Sequence, residues 1–305
     1  MKTNSIAIHQ NNFRAMSRLL TSNYSSPNTI RAYEAALGSF FEWYELNGVT
    51  GLNKAVVNEY RRHLVALVKD GALGESTVNL RLTVLRLFAV ELRDNGLLDP
   101  QLAAGIGNVK SVAKSGKHMG TWLSLESARH LLSLPPDNIK GYRDHALLSV
   151  LLLSGVRRDE CAQLRVNDLR KLGNRWVLAN ISGKGNKERT IGVSETIVAA
   201  INKWHKTADI TDGYIFRSIN KSGVVSKDNL SSDGIYFIVK QYSLLLGISI
   251  SPHDLRRSFA QLAKEGGATI FEIKEQLGHA NFATTEMYLA NVEDFTQTAA
   301  DAISI

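Results

Sequence analysis

The sequence predicts a mainly α-helical protein in two domains, with a small antiparallel β-sheet in the second. Three observations carry this expectation. Apolar residues recur at three- and four-residue spacing along most of the chain, a lysine-bearing segment with little to pack interrupts that pattern near residue 110, and two strand-like runs flank a glycine-containing turn further on. With 305 residues and 44% hydrophobic content the chain can bury a substantial core, and at this length two domains are the natural division.

Residues 1–108 read as helical throughout. Ser26 caps and Pro27 opens a helix that runs as NTIRAYEAALGSFFEWYELNG and stops at Gly48. A second helix starts near Ser76, places Val78, Leu82, Leu85, Ala89 and Leu92 on one face, and ends at Gly96. Apolar positions between Val56 and Val68 supply a partner for that stripe, so this part forms a small bundle. Residues 109–120 then read as a linker, because Lys110, Lys114 and Lys117 sit among small residues.

The second domain, 121–305, opens with a helix from Ser124 and continues with HALLSVLLLSG, apolar enough to be buried on most sides. Trp176–Ile181 and Thr190–Val193 form a hairpin around a basic tip at 183–186. The remainder returns to helices. Thr269 and Glu272 form a capping box for a helix that ends at Gly278, and Asn281 caps the next, which carries Tyr288.

Composition narrows the function. The longest apolar stretch, Ala146–Leu153, is broken by Ser149 and is far short of the ~20 residues that span a bilayer. The first residues, MKTNSIAIHQNNFRAM, lack a signal-peptide core, so the expectation is a cytoplasmic, nucleoid-associated protein with no membrane partner. The single cysteine, Cys161, rules out an internal disulfide and any multi-cysteine zinc site, and it reads as core packing. No metal-ligand cluster stands out, and no cofactor is expected. A formal charge of +7 favours a polyanionic partner, yet many unrelated proteins are as basic, so the motifs must decide.

Four segments hold polar residues at the edges of apolar elements. In SGVRRDECAQL, Arg157 follows a helix broken by Gly155; alone, such an arginine is usually a surface ion-pair partner. In SGKGNKERTI, Lys184, Lys187 and Arg189 line a turn that is either a solvated tip or a loop that swings over DNA, where Lys184 could protonate a departing oxygen. In SPHDLRRSFAQL, His253 and Arg256 share a helix face three residues apart. In EQLGHANFATTEMYLANV, His279 follows a terminated helix and Tyr288 comes nine residues later; a tyrosine between Met287 and Leu289 is ordinarily core.

Taken in order, SGVR-x-x-E, GKGNKER, HDLRRSF, LGH and the Tyr288 segment resemble the tyrosine recombinase, or phage integrase, family, with Xer-like enzymes the nearest type. SPNTIRAYEAALGSFFEWYE also resembles the opening helix of that family's core-binding domain, so the likeness covers nearly the whole chain. Departures are mild: Ser154 and Val156 replace the more usual Thr and Leu or Met, and Arg158 stands where a small or apolar residue is commoner.

The resemblance implies a C-shaped clamp around double-stranded DNA, strand cleavage through a phosphotyrosine, and a homo-tetramer exchanging strands through a Holliday junction. It assigns Tyr288 as nucleophile, Arg157 and Arg256 to the phosphate oxygens, His253 and His279 to hydrogen bonding or proton transfer, Lys184 as general acid and Glu160 as a supporting acid. Lys110, Lys114, Lys117, Lys187 and Arg189 would contact DNA. The physics agrees, since arginine's planar fork suits the oxygens of a phosphodiester under attack, and clustered cations favour a phenolate.

Two other readings remain at this point: a type IB topoisomerase, and a DNA-binding accessory protein without activity. Val292, Phe295 and Ala299 in the tail have the spacing of a short amphipathic helix that could pack at home or on a neighbouring protomer. The short stretch before Pro27 leaves little room for an arm-binding domain, which favours simple Xer-like or transposon-borne enzymes.

Overall fold

The structure, a computed structural model, describes residues 13–113, 121–183, 188–279, 281–286 and 288–289. The chain divides into two units between Lys117 and His118.

The described part of the first unit is helical: α1 (Phe13–Thr21), α2 (Pro27–Leu46), α3 (Lys54–Lys69), α4 (Glu75–Asp94) and α5 (Pro100–Gly107). Ser26 caps α2 as its sequence suggests, and Gly48 and Gly96 take left-handed backbone just past α2 and α4. The stripe of α4 faces inward, with Val78, Leu82, Leu85, Ala89 and Leu92 all buried. Phe40 and Tyr60 cross edge to face at 5.1 Å in the middle of this core, and Tyr60 donates to Ser39 Oγ at 3.0 Å.

The division between the units falls within the expected linker, 109–120, whose first residues bond to the first unit. Val109 is buried in the first core, Arg86 donates to its carbonyl, and Asn79 binds both backbone groups of Val112, at 2.9 and 2.8 Å. A side-chain amide thus acts as a strand-like partner and holds 109–112 to the first unit, which composition could not reveal. Lys110 is exposed on this segment, while Lys114 and Lys117 lie outside the described residues.

The second unit contains α6 (Leu125–Ser133), α7 (Ile139–Ser154), α8 (Arg158–Gln163), β1 (Leu169–Leu172), β2 (Arg175–Ser182), β3 (Glu188–Gly192), α9 (Glu195–Ala208), β4 (Arg217–Ile219), β5 (Val225–Asn229), α10 (Ser232–Leu246), α11 (Pro252–Glu265), α12 (Ile270–Leu277) and α13 (Phe282–Glu286). Helix α7 is buried along almost its whole length, as its apolar C-terminal half requires, with Arg143 and Asp144 paired at 2.8 Å in its first half, and it packs on α9 and α11. The sheet is antiparallel in the order β1-β2-β3.

Two expectations need correction here. The sheet has a third strand, β1, and a second antiparallel hairpin, β4-β5, interrupts what was read as continuous helix. All three strands are short (LRKL, RSI, VSKDN) and lack the apolar alternation that marks a strand; only the turns near Gly173 and Gly223 signalled them. Among the described residues no helix is long and apolar enough to cross a membrane.

Candidate active site

The first cation is positioned by the end of α7. Gly155 turns the chain at φ +67°, and a Cβ there would sit 2.6 Å from Phe259 Cδ1, so only glycine allows α7 to stop against α11. Two residues on, Arg157 occupies the N-cap position of α8, and Glu160 in the first turn accepts its backbone N–H at 2.8 Å. The same carboxylate accepts Arg157 Nη1 at 2.8 Å. The side chain of Arg157 remains 38% exposed whereas that of Glu160 is 4% exposed.

Arg189, at the start of β3, closes on Glu160 from the opposite side with Nη1 and Nη2 both at 2.8 Å. Burial by itself would raise the Glu160 carboxyl, but the hydrogen bonds and charges of Arg189 and Arg157 override it and hold the group at about 2. The stem of Arg189 lies across Gly278, where a Cβ would stand 2.8 Å from Arg189 Cδ. Arg189 was expected along DNA at a solvated tip. Its two terminal nitrogens are instead engaged by a buried acid, which makes it part of the frame beneath the site.

The second cation is buried. Arg256 is 1% exposed on α11, where Ser251, Pro252 and Asp254 build the first turn. Its Nη1 donates to the carbonyl of Gly155, and its Nη2 to Leu277 O at 2.6 Å and to His279 Nε2 at 2.9 Å. No carboxylate meets it directly among these contacts. Burial and the nearby Arg157 charge lower the guanidinium to about 10, and its Nε is buried without a hydrogen-bond partner among the described residues. The helix that delivers Leu277 and His279 is itself tied down by Gln276, which donates to Ser154 O and Gly192 O at 3.3 and 3.1 Å.

His279 is 6% exposed, and its Nδ1 lies 3.0 Å from Thr285 Oγ1. Burial, then the charges of Arg256 and Arg157, push this ring down to about 4. His253, on the face of α11 beside Arg256, has its Nε2 2.8 Å from the Tyr288 hydroxyl. Partial burial and the arginines Arg257, Arg256 and Arg157 lower its pKa as well. These lowered pKa values favour the neutral form of both rings, in which His253 Nε2 can accept the phenolic proton.

Tyr288 was expected on the helix that follows Asn281. Helix α13 ends at Glu286, and Tyr288 stands in the turn beyond it, its N–H bonded to Thr285 O at 2.9 Å. The tyrosine ring packs edge-on against His253 and His279, with centroids at 5.3 and 5.0 Å, and Arg257 Cζ lies 5.6 Å from its centroid. It is thus not a core tyrosine, despite its apolar neighbours.

The structure accordingly brings together Arg157, His253, Arg256, His279 and Tyr288 over Glu160 and Arg189. Lys184 and Lys187 lie outside the described residues, as does the tail from 290 onward. Sequence reading missed Arg257 and Thr285. The second arginine of HDLRRSF and the threonine three residues before Tyr288 were the available signals, but neither spacing alone distinguishes a site residue from a surface one. Among the described residues no group of histidine, cysteine, aspartate and glutamate is placed to hold a metal ion.

Comparison with known proteins supports both units. A model of the phage integrase family matches residues 121–294, and a model of the phage integrase N-terminal SAM-like domain matches 17–96. The chain is 32% identical over 273 residues to the tyrosine recombinase XerC of Yersinia pestis, covering 86% of this chain and 84% of that one. It is 30% identical over 277 residues to XerC of Shewanella amazonensis, covering 88% and 87%. In fold it resembles the XerH site-specific recombinase bound to difH substrate, with TM-score 0.68, 17% identity and 95% and 96% coverage. A lambda integrase tetramer bound to a Holliday junction gives TM-score 0.70 at 12% identity, covering 97% and 82%.

Proposed function

Because the chain belongs to the phage integrase family, as a site-specific recombinase of the tyrosine type, we propose that it cuts and rejoins DNA strands through a 3′-phosphotyrosine formed at Tyr288. The observation that carries the reading is the hydroxyl of Tyr288 held 2.8 Å from His253 Nε2, beside the buried cation Arg256.

The phenol oxygen bonds to phosphorus as the bond from phosphorus to the 5′ oxygen breaks. Its proton passes to His253 Nε2, and the departing 5′ oxygen takes a proton from Lys184. Arg157 and Arg256 hold the non-bridging oxygens, whose negative charge grows in the transition state, and His279 adds a hydrogen bond to them. Glu160 acts through Arg157 rather than on the substrate. The phosphotyrosine conserves the ester, so a 5′ hydroxyl from another strand can displace Tyr288 without an energy source.

In this reading residues 1–108 form a core-binding domain and 121–305 the catalytic domain, both acting on duplex DNA. Lys110, Lys114, Lys117 and Lys187 contact phosphates. Four protomers, with tails exchanged or packed at home, pass through a Holliday junction in the nucleoid. The biological task is either integration and excision of a mobile element or resolution of DNA dimers. The relatives being recombinases favours this reading over relaxation by a topoisomerase.

The test is covalent capture. Incubated with nicked duplex carrying its site, the protein should accumulate a DNA adduct that Tyr288→Phe abolishes while DNA binding persists; an adduct that survives in Tyr288→Phe would overturn the assignment. Sequencing the DNA crosslinked to Tyr288 in cells identifies the site and separates the two biological roles.

A further inference from the structure

His279 presents a problem of hydrogen bonding. An arginine can only donate, so the 2.9 Å contact from Arg256 Nη2 requires a lone pair on His279 Nε2. With Nε2 accepting, the ring proton is on Nδ1 and points at Thr285 Oγ1, 3.0 Å away. In that state His279 offers no N–H toward a phosphate. To hydrogen-bond a non-bridging oxygen through Nε2, the ring must carry its proton on that nitrogen, and Nδ1 then needs a donor.

Thr285 is the group that faces Nδ1, and a hydroxyl both accepts and donates. We propose that Thr285 is a positioning residue that serves both tautomers of His279: it accepts from Nδ1 in the empty site and donates to Nδ1 when phosphate occupies it. The ring loses the Nδ1 proton and gains one at Nε2 by exchange with water, so its charge and proton count do not change. The Arg256 N–H released from His279 turns to the phosphate at the same moment. Thr285 is completely buried, and its carbonyl accepts the backbone N–H of Tyr288 at 2.9 Å. One residue therefore sets both the histidine ring and the turn that carries the nucleophile.

This inference rests on the proposed phosphate site, and its test separates the two. Nitrogen-15 chemical shifts of the His279 ring, in the full chain, should report the Nδ1–H form without ligand and the Nε2–H form when inorganic phosphate saturates the site. An Nε2–H form in the free protein, or no change with bound phosphate, would overturn the proposal. On the DNA recovered by crosslinking, Thr285→Val should slow adduct formation about tenfold and Thr285→Ser should restore it. If serine is as slow as valine, the methyl group and packing explain the defect and the proposal fails; if valine is as fast as wild type, it fails too. Tyr288→Phe in the same assay reports on the phosphotyrosine reading independently, since the free-protein nitrogen shifts do not depend on cleavage.

Discussion

The two arginines that converge on the site are held in opposite ways. Arg157 leans on a buried carboxylate that Arg189 also grips, and it keeps much of its side chain in solvent. Arg256 is buried and is held by two backbone carbonyls and a neutral histidine. The first half of the site is a compensated ionic frame, and the second is a positive charge that no acid among the described residues neutralises by contact. The difference teaches where the pull on an anion originates: a buried charge without a contacting acid gains most from a phosphate, while a cation already paired with a fixed acid chiefly supplies orientation.

The largest expected effect comes from breaking the uncompensated half. Arg256→Lys keeps the charge but loses the fork that reaches Gly155, Leu277 and His279 together, and adduct formation should fall roughly 10²–10³-fold, read as single-turnover cleavage. Glu160→Ala attacks the compensated half. It leaves Arg157 and Arg189 facing one another without their acid and should lower unfolding stability by about 3–5 kcal/mol, measured by denaturant titration.

Acid distinguishes the halves through linkage. Both pKa values are depressed in the folded state, so each group stabilises the fold above its ordinary pKa and loses that contribution as pH falls. His279 should act between 6.5 and about 4, and Glu160 between 4.5 and about 2. His279→Gln should flatten the upper limb of a stability profile and Glu160→Gln the lower; a profile unchanged by either would contradict the comparison. Arg189→Lys, which retains charge but not the double contact with Glu160, should lower the thermal midpoint by roughly 2–8 °C. The smallest effect concerns Cys161, fully buried behind Glu160, whose thiol burial pushes up. Thiol reagents should leave it unlabelled in the native protein and label it only on unfolding.

How far the site could be read from the chain varies by residue. His253 and Arg256 share a face because three residues separate them on a helix, and that relation survives any tertiary context. The partner of Arg189 was not legible, because a basic residue near a glycine turn looks solvated until a buried acid 29 residues earlier is seen beside it. Thr285 carried no readable signal, since its role depends on a contact with a ring six residues earlier that no helical or strand spacing implies. The short strands β1, β4 and β5 went unrecognised because they are only three to five residues long and lack apolar alternation, even though each pairs with its neighbour in the chain.

Periodicity along the chain determined the helices, the buried faces of α4 and α7 and the order of the motifs, because these depend on neighbours within one or two helical turns. Tertiary structure alone decided which charges are compensated, which nitrogen of His279 carries its proton, and that Tyr288 leaves its helix to meet His253. Those outcomes follow from desolvation and from hydrogen bonds between segments up to about a hundred residues apart, and such energies exist only once the segments are packed together.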